Sequence, residues 1–277
     1  MAFFDQYSAA WLIGLVLALL ATGLVAGTLA GLLGVGGGIV IVPVLYHLFT
    51  LLGIDESVRM HVAVGTSLAT IIPTSIMSSR AHRKKGSLDM ALIKRLMPSV
   101  IVGVIAGSIA SRYLSGAVLT AVFATVGLVV ALNMAFKKDG FAVGNGLPGT
   151  AGTALLGAGI GGISTLMGIG GGTLSVPILN ALRVPMHTAV GTGAMLGMVI
   201  SFPGALAFLY NGLGVPLRPP LSVGYVNLLG MALIVPATML TTGFGAKLAH
   251  SIDARRLRQV FAAFLALTSL RMFYGML

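Results

Sequence analysis

The chain has no cysteine, and only 8% of its 277 residues are charged, six of them acids. Without a thiol there is no disulfide, no covalent haem attachment and no thiolate metal site. A soluble domain carries roughly 25% charged residues, so this chain cannot present a wettable surface. The acids also fall in the wrong places for a pump. Asp5, Asp55, Glu56, Asp89, Asp139 and Asp253 all sit in termini or loops between apolar runs. No carboxylate is left inside a span to relay protons or hold a metal cation, the usual task of buried acids in membranes. Cation transport is therefore disfavoured, and neither a metal nor a cofactor is expected.

What is present is oil. Hydrophobic residues make up 57% of the chain, with a mean hydropathy of +1.02. The apolar runs are continuous over roughly 17–25 residues, long enough for spanning helices and unlike the ~10-residue alternating segments of a membrane barrel. The fold class read from this is an all-α integral membrane protein. The net charge of +11 does not imply nucleic acid as a partner. The basic residues lie in short loops, where topology and anionic lipid headgroups account for them. The first run, Trp11–Leu33, follows Asp5, with no Lys or Arg before Arg59. At 23 residues it is longer than a signal core, so an uncleaved span is expected.

The runs group into five per half. In the first half they are Trp11–Leu33, Ile39–Leu52, Val62–Ser79, Leu96–Tyr113 and Ala117–Phe136. In the second they are Thr150–Met167, Thr173–Leu182, Thr188–Tyr210, Val223–Ala249 and Leu257–Leu277. The second member of each set is too short to cross and reads as the return arm of a hairpin. Between them the halves repeat. Gly34–Leu45 and Gly168–Leu179 agree at seven of twelve positions: four glycines, a Val, a Pro and a final Leu. His61–Thr66 matches His187–Thr192 at five of six, and Pro98–Phe136 aligns without a gap on Pro236–Tyr274. Chance resemblance between two oily sequences would match Leu and Val, not Gly, Pro, His and Thr in one order.

Lysine and arginine mark cytoplasmic loops. The loop after the third segment holds Arg80, Arg83, Lys84, Lys85, Lys94 and Arg95 in the first half but only Arg218 in the second. At the next loop the bias reverses, with Arg112 alone against Lys247, Arg255, Arg256 and Arg258. Matching loops thus face opposite sides. The expected architecture is two inverted-topology repeats, each a glycine-broken helical hairpin plus three transmembrane helices. Residues 1–138 form the first repeat, 139–149 a cytoplasmic linker and 150–277 the second repeat, with both chain ends outside the cytoplasm.

The glycine breaks carry the functional reading. Each glycine costs a helix about 1 kcal/mol relative to alanine, and unsatisfied amides in hydrocarbon cost several kcal/mol each. Such a break persists where protein covers it or a wet cavity meets it. The half-helix that follows offers free N–H groups and the positive end of its dipole, the natural partner of an oxyanion. The candidate substrate-binding glycines are Gly34, Gly36, Gly37, Gly38, Gly168, Gly170, Gly171 and Gly172; close helix packing is the alternative use of each. Neither cluster is a Walker loop, since no Gly-Lys-Ser/Thr follows. Thr66, Ser67 and Thr70 in one half, and Thr173 and Thr192 in the other, can line an anion path or bond helix carbonyls. Thr74, Ser75, Ser164, Thr165, Ser175 and Ser201 read the same two ways. Asn227, placed deep in a span, is either a polar contact or interhelical glue. His61 and His187 can titrate and hold an anion or simply anchor helices. Two histidines without a carboxylate or cysteine make no metal site. Arg80 and His82 stand at a cytoplasmic mouth that topology alone also explains.

Gly31–Pro43 and its copy Met167–Pro177, followed by the Ala-Val-Gly-Thr segments, resemble the repeated signature of the sulfite exporter TauE/SafE family of bacterial and archaeal membrane proteins. The resemblance covers nearly the whole chain. It implies an inner-membrane permease, not an enzyme, moving sulfite or a small organosulfur anion, with membrane lipids as surroundings and room for a homodimer. The motif carries over to the glycines named above and to Pro43 and Pro177; exact substrate ligands do not. The halves also differ, because Ser67 aligns with Gly193. The expected function is secondary transport, in the export direction, by alternating access with the anion at the glycine tips. An anion channel, or an uptake permease for another small anion, is the alternative.

Overall fold

The computed structural model describes residues 7–136, 144, 146–248 and 254–275. Of the expected linker, 139–143 and 145 lie outside the described residues, as do Lys137, Lys138 and both extreme ends. Side chains at 254–258 are likewise outside them. The described chain is helical apart from one short hairpin. The first half runs α1 (Ala9–Leu33), α2 (Gly38–Leu51), α3 (Glu56–Lys84), α4 (Met90–Tyr113) and α5 (Gly116–Phe136). The second runs α6 (Thr150–Met167), α7 (Gly172–Ala181), α8 (Met186–Asn211), α9 (Leu228–Leu248) and α10 (Ala254–Tyr274), with β1 (Ser222–Val223) and β2 (Val226–Asn227) between α8 and α9. Seven of the described helices, α1, α3, α4, α5, α6, α8 and α9, are long and apolar enough to cross a membrane. Large apolar side chains such as Leu17, Val102, Leu155, Leu240 and Leu267 are exposed on their outer faces, where only lipid could cover them favourably. This is an integral membrane protein.

Small residues set how the helices meet. Gly23, Gly27 and Gly31 recur every four residues, so they share one face of α1. That face lies against the α9 backbone. A Cβ on Gly23 would stand 2.7 Å from Ile234 O, one on Gly27 2.6 Å from Thr238 Cα, and one on Gly31 2.7 Å from Ala246 N. Contacts advance together along both helices, so α1 and α9 are parallel. The same geometry joins α6 to α4. Gly157 meets Leu96 and Ser99, Gly161 meets Val100 and Val104, and Gly107 meets Gly162. Gly157 and Gly161 are the aligned counterparts of Gly23 and Gly27, and the α4 residues they touch are counterparts of those on α9.

Helix α3 runs parallel to α9, with Thr74 Oγ1 donating to Thr238 Oγ1 at 3.0 Å and Asn227 N donating to Thr66 Oγ1 at 2.8 Å. It runs antiparallel to α8, where Gly65 meets Phe208, Leu68 meets Gly204 and Ser75 meets Gly197. Helix α8 is parallel to α4, since Gly191 meets Ser87 at one end and Asn211 Nδ2 donates to Ser108 O at the other. Thus α1, α3 and α9 point one way, and α4, α6 and α8 the other.

The face on which α1 and α3 begin is here called proximal and the opposite one distal. Tyr7 Oη donates to Leu52 O at 3.0 Å, so α2 returns to the face that α1 left. Gly146 N donates to Leu182 O at 2.9 Å, so α7 returns to the start of α6.

Two expectations need correction. Asn227 is not deep in a span, and the ninth segment does not begin at Val223. Ser222–Asn227 forms a hairpin turned at Gly224 (φ 56°), and Asn227 Oδ1 accepts from Gly230 N at 2.8 Å as the N-cap of α9. The connection after α3 is also shorter than the apolar runs suggest. Arg80, Arg83 and Lys84 belong to α3, and Lys94 and Arg95 to α4. Basic residues end the apolar pattern but form helix well, and at a helix C-terminus they favour the dipole.

Candidate functional site

Both glycine segments form the turns of their hairpins, and the turns meet. Gly34 ends α1 in the left-handed region (φ 66°), its N–H donating to Ala30 O at 3.0 Å. Gly168 ends α6 in the same way (φ 67°). A Cβ at Gly36 would lie 3.2 Å from Gly170 Cα, and one at Gly38 2.5 Å from Gly168 O. One at Gly172 would strike Gly34 O. The three contacts relate aligned positions across the two turns, backbone against backbone. Close packing is thus one real use of these glycines, and every one of the eight is buried.

Packing does not satisfy their polar groups. Among the described residues, no acceptor meets the amide hydrogens of Gly36, Gly37, Gly38, Gly170, Gly171 or Gly172. These amides open α2 and α7, so two positive dipole ends converge where the turns touch. Beside them Ser75, Thr173 and Ser175 are buried hydroxyls without a hydrogen-bond partner, and Ser164 on α6 and Thr192 and Ser201 on α8 are likewise unpartnered. The Ser75 Oγ stands beside both turns, 3.6 Å from a Cβ on Gly36 and 2.5 Å from one on Gly197, which itself abuts Gly171. Buried polar groups in folded proteins are almost always paired. Donors left over at one place mark where an acceptor fits, and an oxyanion is acceptor on every edge.

Thr173 also borders a cleft, although its Oγ1 is itself buried. This cleft of about 70 Å³, walled by Leu33, Val35, Asn133, Gly172, Thr173 and Met186 among others, borders the second turn. It opens on the distal face, where Arg80, Arg83, Lys84, Lys94 and Arg95 lie at the ends of α3 and α4. Sequence patterns missed Asn133 and Asn180, both on the cleft wall. Their only signal was a polar amide near the end of an otherwise apolar helix.

Other expected site residues are occupied by structural bonds in this conformation. Ser67 Oγ donates to Gly168 O at 2.7 Å, clamping the second turn. Thr70 Oγ1 donates back to Ser67 O at 2.7 Å, and Thr66 accepts from Asn227. The His61 Nε2 lies 3.2 Å from Ser111 O and 3.1 Å from Leu114 O, tying the end of α4 to the start of α3. His187, its counterpart, is exposed on the distal face and does not reach the turns. His82, near the distal mouth, is buried with Nε2 at 3.0 Å from Gly31 O. Of the expected residues, the structure brings together the glycines, Ser67 and Thr173, and keeps the histidines apart.

A helical membrane protein with two touching glycine breaks has a build that transporters use. The match to known proteins is specific. Residues 19–272 fit the model of the sulfite exporter TauE/SafE family, and the chain belongs to that family. It is 34% identical to the "Probable membrane transporter protein" of Haemophilus influenzae over 260 residues, covering 93% of this chain and 98% of the relative. Relatives with similar names occur in Methanocaldococcus jannaschii (26% over 269 residues, 92% and 94% covered) and in Bacillus subtilis (26% over 279 residues, 92% and 96% covered). No solved structure matches the chain. The protein is a membrane transporter.

Proposed function

We propose that this protein exports sulfite or a small organosulfur anion across the inner membrane of a bacterium or archaeon by alternating access. The observation that carries the reading is the meeting of two glycine turns with unpartnered amides and hydroxyls. At the turns these donors recognise negative charge without a fixed cation. The halves act as inverted repeats, 1–138 and 150–277, rocking about that centre. The helix directions support this: α1 opposes α6, α3 opposes α8 and α4 opposes α9. The positive-inside rule supports reading the basic distal face as the cytoplasmic one, with both ends of the described chain outside the cytoplasm.

Export needs no coupling ion. A membrane potential of ~100 mV, inside negative, favours expelling a monovalent anion by about 2.3 kcal/mol, roughly 50-fold. Proteoliposome flux of sulfite, sulfoacetate and sulfate, with and without a pH gradient, tests the reading. Saturable uptake with counterflow is expected for at least one sulfur anion. Flux that never saturates and shows no counterflow would establish a channel instead, and no flux of any of the three would discard the substrate class. Carrying these anions inward against the potential would establish an uptake permease.

A further inference from the structure

The distal cleft has a counterpart that is shut. Aligning the halves places cleft residues on partners in the other half: Thr173 on Ile39, Pro177 on Pro43, Asn180 on Tyr46, Met186 on Met60, Asn133 on Arg271 and Met134 on Met272. The partners share chemistry at several positions but not exposure. Met186 is 38% exposed and Met60 0%. Met134 and Pro177 are half-buried, while Met272 and Pro43 are buried. Two matched sets of residues, one forming a cleft and one sealed, are what a carrier shows when open to one side. Arg271 breaks the match, because the same place in the open cleft holds a neutral amide.

Arg271 ends α10 on the proximal face, exposed, and within electrostatic reach of His47 on α2. The His47 Nε2 is buried without a partner. His47 meets Tyr46 edge-on at 5.6 Å, and the Arg59 guanidinium lies 5.6 Å over the Tyr46 ring. Arg59 is committed, its Nε and Nη2 donating to Ile54 O at 3.1 and 2.8 Å. Arg271 makes no such bond among the described residues.

Resting on the transport reading above, we propose that the sealed counterpart opens as a second, proximal binding vestibule in which Arg271 receives the small oxyanion. The two clefts then differ at one matched position, which holds a neutral amide, Asn133, in the distal cleft and a guanidinium, Arg271, in the proximal one. The carrier binds its anion more tightly from the proximal side, and Arg271 determines the difference.

The cysteine-free sequence makes the test clean. In sealed vesicles of known orientation, Met60→Cys and Met186→Cys are labelled with a membrane-impermeant maleimide from each side, with and without sulfite or sulfoacetate. Met186→Cys reacts from the distal side, Met60→Cys only from the proximal side, and anion shifts the two rates in opposite senses. Flux of the same anions is then measured in each direction. Arg271→Asn raises the KM from the proximal side by at least about tenfold, the scale of one hydrogen bond to a charged group, and leaves the distal KM unchanged. Asn133→Arg lowers the distal KM. A Met60→Cys that stays unreactive during measured flux, or an Arg271→Asn effect equal on both sides, overturns the vestibule while leaving the carrier intact. Side-specific labelling without flux of either sulfur anion would instead uphold the vestibule and remove the substrate assignment.

Discussion

At the scale of single residues, hydroxyl groups divide by whether they have a partner. Thr70 gives its proton to a carbonyl one turn back, whereas Thr173 has none and lines the cleft. Thr173→Val is expected to weaken anion affinity about tenfold with little change in melting temperature, read from the concentration dependence of flux. Thr70→Val should leave affinity unaltered. The sequence spacing of Thr66, Thr70 and Thr74 revealed a shared face but not that its hydroxyls are consumed locally, since bonding to the preceding turn leaves no trace in residue order. Outside the membrane, Asp55 caps α3, accepting from Ser57 N at 2.9 Å and from Ser57 Oγ at 2.5 Å. Those bonds hold its carboxyl below the usual range. A depressed folded pKa supplies stability that is present above the unfolded value and lost as pH falls through the folded one. Thermal melts in detergent should therefore show wild type losing an advantage over Asp55→Asn only below about pH 4.

At the scale of elements, glycines with and without neighbours behave differently. A Cβ on Gly172 or Gly27 meets backbone, while one on Gly14 or Gly243 meets nothing within 4 Å. Gly172→Ala and Gly27→Ala are expected to collapse the yield of monodisperse protein. Gly14→Ala and Gly243→Ala are tolerated or slightly stabilising, as removal of a helix glycine gains up to about 1 kcal/mol; size-exclusion profiles and melts separate the two groups. Leucine at Gly37 (φ 80°) or Gly171 is a packing lesion first, since Ala26 and Leu196 already crowd these positions. The helices themselves were legible, with Thr150–Met167 recovered to the residue. The hairpin before α9 was not: Val223, Tyr225 and Val226 are apolar and merge into the following run. Its turn depends on Gly224 and on the Asn227 cap, and one amide within an apolar run reads equally as a polar residue inside a span.

At the scale of the molecule, the sequence repeat reappears as matched interfaces. Gly65 lies against Tyr225 O where Gly191 lies against Ser87 O, and Asp89 caps α4 as Asn227 caps α9. Loop charges set the orientation reading, so side-specific labelling checks it. Leu217→Cys and Ser115→Cys should react from outside the cell and Lys84→Cys only after permeabilisation; labelling of all three from one side would refute opposed loops. Legibility ended at conformation. Nothing in the order of residues states that Met186 borders an open cleft while its aligned partner Met60 is buried.

The glycine stripe of α1 docks on α9, and that of α6 on α4, so each half keeps its closest helix partner in the other. A ribosome making this chain inserts α1 long before α9 exists. Until then, Gly23, Gly27 and Gly31 face lipid that cannot fill their groove. The nascent first half must wait in the bilayer, half-dressed, for the second. Two separately expressed fragments divided at the linker should rebuild a working carrier together, and neither alone should escape proteolysis.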